Sequence, residues 1–212
     1  MVSMQNIVFT LMVASASMIL YCDAVCDVNH LKSCLKSFAV QTDLPNATFP
    51  LSAEKFVQYL IRKVERQKSD GYIMICANGD NFYNCMGDQR TDCENVEAFQ
   101  QAGFDEQNAL ATLALGAQID YICTAGFDAF YNNLNCAISV AANTYDQLLS
   151  CYLELRKQME LQPVRTCEFA KNFLKCFRTQ FAVCNDDVIT ASCKTAVVGL
   201  GVIAPTCMSL NC

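Results

Sequence analysis

The sequence predicts an all-α fold, a disulfide-stapled helical bundle made of two tandem related helical modules. Three observations carry that expectation. Apolar residues recur at three- and four-residue spacing in one segment after another. No stretch keeps the two-residue alternation of a half-buried strand, and Asn78-Gly79 lies in a helix-turn context rather than between strands. The 212 residues include 15 cysteines, enough to staple a small fold many times.

The elements follow in chain order. Val28, Leu31, Leu35 and Phe38 mark one face of a first helix, with Cys34 beside them. Leu44-Pro45 and Phe49-Pro50 bracket a loop, because a residue before proline avoids the helical region. Ser52 is placed to cap a second helix with the apolar face Phe56, Val57, Leu60, Ile61 and Val64. Its last turns carry Arg62, Lys63, Arg66 and Lys68, the sign that suits a negative helix end, and Asp70-Gly71 is the expected stop. A third helix starts near Asp105 and keeps Leu110, Leu113, Ala114, Ala117 and Tyr121 on one face through Cys123. A fourth is expected to run unbroken from Cys136 to Met159, with Val140, Thr144, Leu148, Cys151 and Leu155 in register, until Pro163 breaks it. Asp186 and Asp187 favour the start of a last helix through Val188 and Ile189.

An internal repeat sets the domain organisation. Cys76, Cys85 and Cys93 have the spacing C-x8-C-x7-C, and Cys167, Cys176 and Cys184 repeat it at a constant offset of 91 residues. Asn81-Phe82 maps onto Asn172-Phe173 at the same offset. The division this implies is 25–124 and 125–212, with six cysteines in the first module and eight in the second, so each can close its own bridges. Nine residues along a helix turn through about 900°, so Cys76 and Cys85 would face opposite ways and bond to different neighbours. The spacing leaves the connectivity open.

The amino terminus fixes the expected compartment. Ile7 to Tyr21 is an uncharged run of fifteen residues, which suits a signal-peptide core and falls short of the ~20 needed to span a bilayer. Residues 1–24 therefore read as a signal peptide cleaved after Ala24, with Cys22 at the minus-three position. Its loss would leave 188 residues and, with Asp23 gone, move the net charge from -6 to -5. It would also leave the even set Cys26, Cys34, Cys76, Cys85, Cys93, Cys123, Cys136, Cys151, Cys167, Cys176, Cys184, Cys193, Cys207 and Cys212. Thr195 to Pro205 is too short for a membrane span, and Gln118 and Asp120 interrupt the other long apolar stretch. The mature chain is thus expected to be secreted and extracellular, without a membrane span, and Asn46-Ala47-Thr48 is a glycosylation sequon in an exposed loop. An acidic pI near 4.7 speaks against nucleic acid and anionic membrane surfaces as partners.

Motifs for chemistry are sparse. His30 is the only histidine, so it would have to serve any Cys-His or Ser-His site, and it falls beside the core face of the first helix as a partly exposed surface residue. HExxH, GxSxG, CxxC and P-loop patterns do not occur. Gly199-Leu200-Gly201-Val202-Ile203-Ala204 matches a dinucleotide fingerprint, but the chain reaches only Cys212, too near for the acid that the fingerprint needs about 20 residues on. Asp80 to Asn84 lacks the alternating oxygen ligands of a calcium loop. The acids Asp88, Asp92, Glu94, Glu97, Asp186 and Asp187 are explained by capping and solvation. No catalytic, cofactor-binding or metal-binding residue is assigned.

The segments CANGDNFYNCMGDQRTDC and CEFAKNFLKCFRTQFAVC resemble segments that recur in secreted, cysteine-rich helical proteins of nematodes, arthropods and molluscs, many classed only as domains of unknown function. The resemblance covers the two cysteine triples and their flanks. It implies a stapled helical fold outside the cell and brings no catalytic residue with it.

The functional expectation is a non-enzymatic extracellular binding or interaction protein. Its partner would be another extracellular protein or a small apolar ligand, without a cofactor. In the carrier version, Phe56, Phe82, Phe104, Phe127, Phe130 and Phe173 are the candidate cavity residues, whereas a filled core would count against it. A secreted toxin or effector would share the architecture. A carboxylate-dependent hydrolase would need two acids facing across a cleft, about 5–9.5 Å apart.

Overall fold

The computed structural model describes residues 25–44, 50, 52–207 and 209–212. The expected signal peptide with Cys22 and the sequon at Asn46 lie outside the described residues. All regular structure within them is helical, with no strand.

Helix α1 (Val28–Gln41) starts at Asp27, whose carboxylate accepts from the Asn29 and His30 amides. Leu31, Cys34, Leu35 and Ala39 form its buried stripe. Helix α2 (Ala53–Gln67) starts after Ser52 as expected, but the Ser52 side chain makes no capping bond. The Asn108 side chain, from a later helix, takes the Ala53 amide at 2.8 Å instead. The stop also differs from expectation. Helix α2 ends at Lys68, whose φ of 54° turns the chain directly into α3 (Ser69–Met86), so Asp70-Gly71 opens a helix rather than ending one. Gly71 is there for space. A Cβ on it would lie 2.9 Å from the Lys63 carbonyl and 3.2 Å from the Val64 Cα, both backbone atoms of α2.

Where α1 ends against α2 and α3, its last carbonyls are buried and must be satisfied. Asn78 donates to the Gln41 carbonyl at 3.1 Å. The Tyr59 hydroxyl and the Lys63 ammonium both donate to the Thr42 carbonyl at 2.8 Å. Lys63, one of the basic residues read from the sequence as suiting the helix end, is 7% exposed and acts as an internal donor.

The short helices α4 (Arg90–Cys93) and α5 (Val96–Gln101) lead to α6 (Glu106–Cys123), capped by Asp105. Helix α7 (Phe127–Tyr131) is a single turn. The expected unbroken helix from Cys136 to Met159 is two helices, α8 (Leu134–Asn143) and α9 (Tyr145–Leu161). The break falls at Thr144, whose backbone leaves helical geometry while its hydroxyl donates to the Val140 carbonyl at 2.9 Å. Asn143 and Thr144 both offer side chains that compete for backbone groups, which makes this the weak link in an otherwise apolar register. Helices α10 (Thr166–Gln180) and α11 (Asp186–Ile203) complete the chain, the latter capped by Asn185 with Asp186 and Asp187 in its first turn. No helix among the described residues is long and apolar enough to cross a membrane.

Seven disulfides tie these helices, with Cα atoms 4.8 to 6.0 Å apart. Cys26–Cys93, Cys34–Cys85 and Cys76–Cys123 lie before residue 124. Cys136–Cys184, Cys151–Cys176, Cys167–Cys207 and Cys193–Cys212 lie after it. Cys76 and Cys85 do reach different partners from one continuous helix. The six cysteines of the first half join first to fifth, second to fourth and third to sixth. Set aside Cys193–Cys212, and the second half joins in the same order.

Packing follows the same division. Leu31, Met86, Phe99 and Phe104 belong to a core cluster confined to the first half, and Leu155, Phe169, Phe173 and Leu200 to one confined to the second. A third cluster joins Phe56, Leu60, Ile75 and Ile119 to Phe130, Ile138, Val188 and Ala191 across residue 124. The most extensive helix pairing in the molecule, α6 against α11, also crosses that point.

Two stability predictions follow from named contacts. Gly71→Ala forces a methyl against α2 backbone that cannot swing away, so despite alanine's better helix propensity it should cost about 1–3 kcal/mol, read as a lower thermal midpoint. A neutral result would contradict the close approach. Tyr83 donates to the Gly116 carbonyl at 3.2 Å beneath the Arg90 guanidinium, 3.6 Å from its ring centre. Burial first, and then Asp120, pushes its phenol up to about 12. Because the folded state holds this proton more tightly, its contribution is complete below pH 10.0 and lost as pH rises toward 12. Stability measured across that window should fall less steeply in Tyr83→Phe, and an unchanged slope would contradict the assignment.

Candidate functional site

A cavity of about 770 Å³, open to solvent, lies between the two halves. Helix α2 supplies Val57, Leu60 and Ile61, and α9 supplies Leu148, Leu149 and Leu153. Between them, α6, α8 and α11 present small side chains: Ala111 and Ala114, Ala137 and Ala141, then Ala196 and Gly199. Those alanines explain the space. Helices meeting through small residues leave room that large neighbours do not fill, and the bridges on either side restrict collapse. The Gln118 side chain of α6 rests on α11 at Gly199, where a Cβ would lie 2.5 Å from its Nε2.

Size makes this more than a packing defect. Protein ligand pockets span about 300–1,000 Å³. It opens to solvent, so it is a cleft with mostly apolar walls rather than a sealed void.

Polar groups in the wall are few. Ser192 and Thr195 spend their hydroxyls on the Ile189 and Ala191 carbonyls of their own helix, at 3.0 and 2.9 Å. The Tyr152 hydroxyl is buried and has no hydrogen-bond partner among the described residues. One turn further along α9, Arg156 also lines the cavity and bonds Glu160 at 3.3 Å. At the other end of α9, the Tyr145 hydroxyl lies 3.5 Å from the Glu54 carbonyl, and burial, followed by Glu54, raises its phenol pKa. Exposed Glu54 and Asp105 sit on the rim there.

Of the six phenylalanines named from the sequence, only Phe130 and Phe173 line the cavity. Phe56 and Phe82 pack on Phe38, with ring centres 5.5 and 5.8 Å away. Phe104 packs on Phe99 at 5.3 Å and Phe127 stacks on Tyr131 at 5.2 Å. Aromatic rings fill the solid parts of the core, whereas the cavity wall is mostly aliphatic. The apolar stripe Leu148, Leu149, Tyr152 and Leu153 on α9 was the available signal, together with the alanine-rich face of α6.

His30 is half-buried, and its Nε2 lies 2.8 Å from the Cys85 carbonyl and 3.7 Å from the Cys34 sulfur. Its proximity to two sulfurs has the outline of a metal cluster. Both sulfurs, however, are shared in the Cys34–Cys85 disulfide, so neither is the thiolate that a metal would need. The glycines of Gly199 to Ala204 lie within and at the end of α11, with no strand before them, so the dinucleotide match is a packing feature. Asp88, Glu94, Glu97, Asp186 and Asp187 are exposed, and Asp92 is half-buried. Glu94 is held by Arg90 at 2.8 Å.

No family model, curated protein or solved structure matches this chain.

Proposed function

We propose that the protein is a non-enzymatic extracellular carrier that holds a small, largely apolar ligand between two stapled helical modules. The observation that carries this reading is the solvent-open cavity of about 770 Å³ with mostly apolar walls. Seven disulfides fit an oxidising compartment. The matched bridge order supports descent of 25–124 and 125–212 from one duplicated module, with the cavity formed where the copies meet. Helices held by covalent cross-links keep such a space open in the free protein, so little ordering is needed on binding.

The test is a titration with a neutral environment-sensitive probe, N-phenyl-1-naphthylamine, on the fully disulfide-bonded protein. Wild type should show saturable enhancement at one site. Ala111→Phe and Ala141→Phe, which fill the cavity, should each weaken binding at least about tenfold while leaving the thermal midpoint equal or higher. Absence of saturable binding in wild type, or undiminished binding in both filled variants, would overturn the proposal.

A further inference from the structure

The charged groups of the cavity lie toward opposite ends of α9, Arg156 at one and the acids of the rim at the other. This step rests on the carrier reading above. Arg156 is the only cation in the cavity wall among the described residues. Its partner Glu160 takes one guanidinium nitrogen and is 66% exposed, so the pair is weak and most of the five donors remain to be used. Tyr152, four residues earlier on the same face of α9, also lines the cavity, while its hydroxyl is shielded by the surrounding protein.

The acids of the rim lie at the far end. Tyr145 at the start of α9 approaches Glu54, and Asn108 next to the Asp105 cap bonds Ala53, so both acids cluster at that end. Arg156 follows Tyr145 by eleven residues, a separation of about 16 Å along the helix. A ligand anion is thus attracted at one end of the wall and repelled at the other, with aliphatic Leu148 and Leu149 between.

We infer that the ligand is a long-chain monocarboxylate, its head held by Arg156 and its chain lying along α9 toward Tyr145. A planar carboxylate matches the guanidinium fork. One cation without supporting basic residues balances a single negative charge, which is why a monoanion is assigned.

Displacement of N-phenyl-1-naphthylamine by palmitate and by methyl palmitate tests this. Wild type should prefer the acid by about tenfold. Arg156→Gln should erase the preference while leaving the ester and the probe bound as before, which also shows that the variant is folded. Arg156→Lys should restore part of it. Equal competition by acid and ester in wild type, or a preference that survives Arg156→Gln, overturns the head-group assignment and leaves the carrier reading standing. If the probe, acid and ester all fail to bind, both fall together.

Discussion

The packing of α6 on α11 is the constraint on which the rest of the molecule depends. Both helices are apolar around most of their circumference, as ALATLALGAQI and TAVVGLGVI show, and such helices need neighbours on more than one side. Each covers the other, and each is covered again by its own half: α6 by α2, α3 and α5, and α11 by α10 and α7. At Gly199 the α11 backbone leaves room for the Gln118 side chain of α6 to lie against it. The joint cluster from Phe56 to Ala191 forms around this contact.

Disulfides then decide what the helices cannot. In each half a bridge from the first cysteine of the repeated triple runs forward, Cys76 to Cys123 and Cys167 to Cys207, while the other two run back. Such cross-links stabilise mainly by restricting the unfolded chain, and they also oppose movement of the helices that bound the cavity. A wall of alanine and glycine between pinned elements remains open. The same covalent frame that compensates for a small core therefore leaves the space in which a ligand can sit.

Much of the fold was legible in the sequence because it depends on local signals. The faces of α1 and α2, the helix start near Asp105 and the acidic start of α11 all come from spacing and helix-end chemistry. The misreadings have specific causes. Gly71 carries the signature of a helix stop, yet the stop is Lys68 and the glycine serves a contact with α2 that only tertiary structure reveals. Thr144 sits in register with Val140 and Leu148, so apolar periodicity passed straight through a real break. The cavity was the least legible feature. Phenylalanines drew attention as large apolar groups, but large groups close space and small ones leave it, so Ala111, Ala137 and Ala141 were the informative residues. Bridge order was out of reach because the partners are brought together by helices 19 to 67 residues apart in sequence.

The central claim is that the space between the stapled halves is a binding site for one amphipathic molecule. Native mass spectrometry of the disulfide-bonded protein, incubated with a mixture of long-chain carboxylates and then compared with its denatured mass, tests it most directly. The account predicts one carboxylate bound per chain in the native spectrum and none after denaturation. A native spectrum that contains only the bare chain, in the presence of excess ligand, would contradict it.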